Sequence, residues 1–176
     1  MAILSEPHST SSFRKGLILK MIVSAAVIML LGGLSGFLFQ SGASDWYKAL
    51  NKPVFQPPNW LFGPAWTTLY ILMGISFARI WQVSSKSRYP IIRKYALRGL
   101  AFFGFHFVFN LFWTPAFFGW ENPSAALVII FILLVLIAFL MKHFWRLDRL
   151  ATFLLVPYFL WVCFATLLNL SIVLLN

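Results

Sequence analysis

The chain has 176 residues, 61% of them hydrophobic and 10% charged, with a formal net charge of +10. Soluble domains carry about a quarter charged residues, so this composition excludes an ordinary water-soluble core and makes lipid the solvent. The basic excess does not describe a nucleic-acid module, because the Lys and Arg residues fall between apolar runs and not on one soluble face.

A spanning helix needs about 20 mostly apolar residues. Five stretches qualify, at about 17–39, 60–83, 95–118, 124–143 and 150–174. Each must be helical, since backbone polar groups in hydrocarbon have to be bonded within their own segment. The predicted fold is an all-α membrane protein: a five-helix transmembrane bundle over residues 17–176, behind a polar tail at 1–16. The tail opens with MAILSEPHSTSS, which is expected to lack regular structure. No cleaved signal peptide is expected, because the first apolar run is long and has no clear small-residue cleavage site. The single cysteine, Cys163, excludes an internal disulfide and a cysteine-based metal cluster.

The first span contains GGLSG. Gly32 and Gly36 form a small-xxx-small pair that permits close helix approach, within the bundle or to a second copy. The connection at 40–59 is the longest and is read as a lid loop. Pro57 and Pro58 hold it extended, and Pro64 is placed in the first turn of the second span, where a missing N–H costs nothing. Trp60 and Trp66 then form part of the wall beneath this cover. The second span carries Trp66, Tyr70, Met73 and Phe77 on one stripe, and Arg79 near its far end is expected to snorkel.

The third span reads FHFVFNLFWTPAFF, in which His106, Asn110, Trp113 and Phe117 share a helical face. The fifth reads PYFLWVCFATLLN, and Tyr158, Trp161, Ala165 and Asn169 share a face in the same way. Pro115 and Pro157 are expected to bend these two spans near their outer ends. Basic residues alternate along the chain. Arg14, Lys15 and Lys20, the set from Lys86 to Arg98, and Lys142, Arg146 and Arg149 fall on one side, against Lys48 and Lys52 on the other. The expected orientation is N-terminus inside and C-terminus outside.

Polar groups deep in apolar spans are costly unless they face a cavity or a partner. The three mixed faces would be ordinary seams, with Asn110 and Asn169 as interhelical glue at about 1 kcal/mol each. Alternatively they line an apolar pocket with a few polar handles, suited to a flat lipophilic ligand. Their convergence on three spans below a stiff aromatic loop favours the pocket. The candidate ligand-binding residues are Trp60, Trp66, Tyr70, His106, Asn110, Trp113, Phe117, Tyr158, Trp161 and Ala165.

Three blocks, DWYKALNKPVFQPPNWLFGPAWTTLYILMG, FNLFWTPAFFG and PYFLWVCFATLLN, closely resemble the translocator protein family. It is also called the tryptophan-rich sensory protein or peripheral-type benzodiazepine receptor family. The resemblance runs from about residue 17 to 170. It implies a five-helix bundle, often dimeric, that binds porphyrins such as protoporphyrin IX, haem and benzodiazepine-type ligands, with no required cofactor. It implies ligand contacts from Trp66, Asn110, Trp113, Trp161 and Ala165. Where the family commonly has Gln four residues before the Asn, this chain has His106, whose imidazole would hydrogen-bond in the pocket or ligate haem iron. Animal members bind cholesterol through a Tyr-plus-Arg motif, but LNLSIVLLN offers neither residue here.

The leading functional expectation is a receptor or sensor for tetrapyrroles, with indole and phenyl faces against the disc and Lys48 and Lys52 near its propionates. The alternative is light- and oxygen-dependent porphyrin degradation, for which the resemblance implicates Trp66 and Trp161. Ordinary hydrolytic or transfer chemistry is disfavoured: the four carboxylates, Glu6, Asp45, Glu121 and Asp148, all lie near ends or loops. A tetrapyrrole or lipid transporter ranks third, since five spans cannot form two equal inverted halves.

Overall fold

A computed structural model describes residues 8–39 and 44–176. The elements in chain order are α1 (His8–Leu38), α2 (Asp45–Ala49), α3 (Asn59–Lys86), α4 (Pro90–Thr114), a π-helical turn (Pro115–Gly119), α5 (Pro123–Trp145), α6 (Arg149–Phe153) and α7 (Val156–Leu175). Five stretches are long and apolar enough to cross a membrane: Lys15–Leu38, Asn59–Lys86, Pro90–Gly119, Pro123–Trp145 and Arg149–Leu175. Helix starts follow local chemistry. Asn122 Oδ1 accepts from Ala125 N at 2.9 Å and Asp148 Oδ1 from Ala151 N at 3.0 Å, satisfying donors that a first turn leaves free. Pro90 and Pro123 each open a helix, where proline needs no N–H partner.

α1 packs along α3, α3 on α4, α4 on α5, and α5 on α7. The α1–α3 seam is close because it is built on glycine. A Cβ on Gly74 would lie 2.3 Å from Ala25 Cα, and one on Gly32 would lie 2.2 Å from Tyr70 Cζ. Gly32 thus serves packing within this chain.

The two ends of the bundle differ. At the basic end, Lys20 Nζ donates to Gln82 Oε1 at 2.8 Å and also to Ser85 Oγ. Arg79 pairs with Asp148 at 2.7 Å, and Ser76 Oγ donates to the Ala151 carbonyl at 2.7 Å. At the opposite, loop end, Asn51 N donates to Asn176 Oδ1 at 2.9 Å, and Asn176 Nδ2 returns a bond to the Asn51 carbonyl at 3.1 Å. The segment before α3 is therefore clasped to the end of α7.

Several expectations need correction. Arg79, expected to snorkel, has an ion-pair partner: its side chain is 25% exposed and its charge is met by Asp148, itself 15% exposed. Pro64 lies in the second turn of α3, because that helix already begins at Asn59. Its missing N–H deprives the Trp60 carbonyl of its i+4 donor. Pro115 does distort the loop end of the third span, where the helix widens so that Trp120 N reaches back to the Pro115 carbonyl at 2.8 Å. Pro157 acts at the other end: it sits in the first turn of α7, just after the break from α6, toward the basic end. The tail is helical from His8 onward, and the expectation for residues 1–7 lies outside the described residues.

Candidate ligand-binding site

A cavity of about 400 Å³ occupies the loop-end half of the bundle, within the range of small-molecule sites. All five spans contribute to its wall. α3 and α7 meet sparingly, and the cavity lies between them. α3 supplies Trp66 and Tyr70, α4 supplies Asn110 and Trp113, the π-helical turn supplies Phe117, and α7 supplies Trp161, Ala165 and Asn169. The helical spacing that put these residues on common faces thus brings them around one space.

The aromatic rings brace one another. Trp66 lies 5.2 Å from Tyr70, Trp113 stacks on Phe117 at 5.2 Å, and Phe62 meets Trp161 edge-on at 5.9 Å. Edge and offset contacts of this kind favour the wall beyond simple burial. Among the described residues, the lining contains no charged side chain, histidine or cysteine. Its polar atoms are amides, hydroxyls and indoles. Asn169 is committed twice, accepting from Trp113 Nε1 at 3.2 Å and donating to the Pro123 carbonyl at 2.8 Å, which fixes the indole plane.

Behind Asn110 runs a directed hydrogen-bond chain. His106 Nδ1 faces the Phe103 carbonyl at 2.8 Å; a carbonyl only accepts, so this nitrogen carries the proton. Nε2 is then an acceptor, and Tyr158 OH donates to it across 3.2 Å. The Tyr158 oxygen in turn accepts from Asn110 Nδ2 at 3.0 Å. Asn110 Oδ1 is left to accept from Tyr70 OH at 3.5 Å. The tautomer of a buried histidine thereby sets which way the cavity amide points.

Three expected site residues are placed elsewhere. Trp60 is 70% exposed and does not line the cavity; six residues at 100° each turn it about 120° away from Trp66 around α3. His106 and Tyr158 are fully buried behind the wall, because there the helices close and the two side chains bond each other. For the same reason His106 is not presented as a haem-iron ligand, since Nε2 is occupied by Tyr158. Met73 and Phe77, on the same stripe as Trp66, belong to the packed core toward the basic end.

Other lining residues escaped the sequence reading. Tyr47 is buried against Phe117 and Phe118, with ring centroids at 6.3 and 5.3 Å. It sits on α2, a short helix capped by Ser44 Oγ, which accepts from Tyr47 N at 3.2 Å. The signal was Ser44 followed by Asp45 in a first turn, inside a stretch read as loop. Burial pushes the Tyr47 phenol above its ordinary pKa, partly offset by the hydrogen bond from Gln56, so the side chain stays neutral. Met29, Gly33 and Gly36 of α1 line it too, as do Gly63 and Thr67 of α3.

Comparison with known proteins agrees with this architecture. The TspO/MBR family model matches residues 23–175. The chain is 38% identical to Protein CrtK of Rhodobacter capsulatus, across 82% of this chain and 85% of that protein. It is 36% identical to the Tryptophan-rich protein TspO of Archaeoglobus fulgidus, across 90% and 98%. The Translocator protein of Homo sapiens is 32% identical across 79% and 80%. Five apolar spans, a tryptophan-lined cavity and these matches together make the chain an integral, multi-pass membrane protein that belongs to the TspO/MBR family.

Proposed function

We propose that the chain is a membrane receptor or sensor that holds a flat, lipophilic ligand of porphyrin type in the cavity. The observation that carries this is a neutral aromatic wall of three indoles, Trp66, Trp113 and Trp161, with one oriented amide, Asn110. Such faces suit a conjugated disc. An uncharged lining cannot neutralise a carboxylate, so the propionates of a porphyrin would remain at the loop end. Lys52 lies beside a lining residue, 4.2 Å from the Tyr47 ring centroid, whereas Lys48 is already paired with Asp45. The segment at 44–58 would act as the cover. The basic end would face the inside, in line with the excess of Lys and Arg there. A relative from Cereibacter sphaeroides is named Tryptophan-rich sensory protein, which is consistent with sensing.

The test is a titration of the protein in nanodiscs with protoporphyrin IX, followed by quenching of tryptophan fluorescence. Trp161→Phe and Asn110→Leu are expected to weaken binding several-fold, and Trp60→Phe to leave the dissociation constant unchanged. Wild-type affinity in both cavity variants would remove the proposal. Light-driven oxidation of bound porphyrin is a second reading, favoured only by Trp66 and Trp161 facing the same space. Equal product in dark anaerobic samples and in lit, aerated ones would exclude it.

A further inference from the structure

Tyr47 covers part of the cavity at the loop end, whereas exposed residues of α1 and α3 form part of its wall on the side. Tyr47 is buried at the loop end, held by a hydrogen bond from Gln56 Nε2 at 3.2 Å. Its segment is clasped by the Asn51–Asn176 bonds. Between α1 and α3 the situation reverses. Met29 and Gly33 on α1, and Gly63 and Thr67 on α3, line the cavity and are also exposed on the outside of the bundle. A Cβ added at Gly33 or at Gly63 would meet no atom within 4 Å.

The gap has a structural origin. Toward the basic end, α1 and α3 are pinned together at Gly74–Ala25 and Gly32–Tyr70. Beyond Gly32, α1 turns to α4 instead: Ser35 Oγ donates to the Leu111 carbonyl at 3.1 Å, and a Cβ on Gly119 would lie 2.8 Å from the Phe39 ring. The start of α3 leans the other way, with Phe62 against Trp161. Thr67 Oγ1 is folded back onto the Gly63 carbonyl at 2.9 Å, which keeps its hydroxyl donor internally bonded and leaves Asn59, at the start of α3, as the exposed amide of the lining. In a membrane this surface faces acyl chains, and a lipophilic disc partitions there at far higher concentration than in water.

From this the geometry points to a lateral portal: ligand reaches the cavity from the bilayer, sideways between α1 and α3 across Gly33 and Gly63, and not through the 44–58 segment. This rests on the cavity's binding a lipophilic ligand, as proposed above. Gly33 and Gly63 form the exposed rim of the cavity wall, so side chains added there obstruct the route and change rates more than affinity.

The experiment uses the full chain in vesicles and stopped-flow tryptophan quenching by protoporphyrin IX delivered in donor vesicles. Gly33→Leu and Gly63→Leu are expected to slow association at least tenfold and to slow dissociation to match, leaving the dissociation constant within a few-fold. Gly104→Leu, another open and exposed glycine but outside the cavity lining, is expected to keep wild-type rates. So is Asn51→Ala, which frees the loop clasp. Wild-type association in both portal variants, or faster association in Asn51→Ala, would overturn the proposal. A shift in oligomeric state in the leucine variants would do so too, by reassigning the gap to contact between copies. A second measurement needs no porphyrin. In vesicles of brominated phosphatidylcholine, acyl chains that reach the cavity quench its indoles, and the leucine variants are expected to lose part of that quenching. Failure of protoporphyrin to bind wild type, with the brominated-lipid difference intact, would sink the porphyrin reading and spare the portal; no difference would sink the portal.

Discussion

Gly32→Ala is the sharpest test of how the α1–α3 seam supports the cavity. The new methyl carbon would lie 2.2 Å from Tyr70 Cζ and 2.7 Å from its hydroxyl. An ordinary carbon–carbon contact is about 3.5 Å, so the ring must retreat by about 1.3 Å. It has little freedom to do so, with Trp66 at 5.2 Å on one side and Phe107 at 6.3 Å on another. The retreat also breaks the long bond from Tyr70 to Asn110. Overpacking costs about 1–3 kcal/mol, and losing a modest hydrogen bond adds about 0.6 kcal/mol in a membrane bundle. Against this, replacing a helical glycine by alanine returns up to about 1 kcal/mol. The expected net effect is a loss of about 1–3 kcal/mol, with weaker binding of the proposed porphyrin-type ligand because Tyr70 lines the cavity. Gly33→Ala is the comparison: its Cβ meets open space, so only the favourable propensity term remains. Reversible unfolding in mixed micelles, run on both variants, measures the difference. Equal stability of Gly32→Ala and Gly33→Ala would refute the packing argument.

The Arg79–Asp148 pair gives an asymmetric prediction. Asp148→Ala removes both the ion-pair partner of Arg79 and the acceptor that caps α6; losing a cap alone costs about 1 kcal/mol. It is therefore expected to unfold more easily than Asp148→Asn, which keeps an oxygen for the cap. Indistinguishable unfolding curves would contradict that order. His106→Leu leaves the Tyr158 hydroxyl without its acceptor, at a cost of about 1–3 kcal/mol, whereas His106→Gln can restore one; circular dichroism melts are expected to rank Leu below Gln. Since Nε2 is occupied, the Soret spectrum of added ferric haem is expected to be the same in His106→Gln as in wild type. A histidine-type spectrum lost on that substitution would place iron on the imidazole.

Much of this protein could be read from its residues alone, because hydrocarbon leaves a chain few options. Lengths of apolar run dictated five helices, and helical spacing dictated that Trp66 and Tyr70, Asn110 and Trp113, and Trp161 and Ala165 share faces. Spacing, however, says nothing of depth along a face. His106 and Asn110 are one turn apart, yet one is sealed behind Tyr158 and the other lines the cavity, because the helices converge at one level and part at the next. Charge patterning placed Arg79 near a helix end, but its ion pair with Asp148 depends on how the fifth span breaks before Val156. Gly32 and Gly33 are identical neighbours in sequence. They point about 100° apart around α1, and only the packing of α1 on α3 decides that the first meets Tyr70 while the second meets open space.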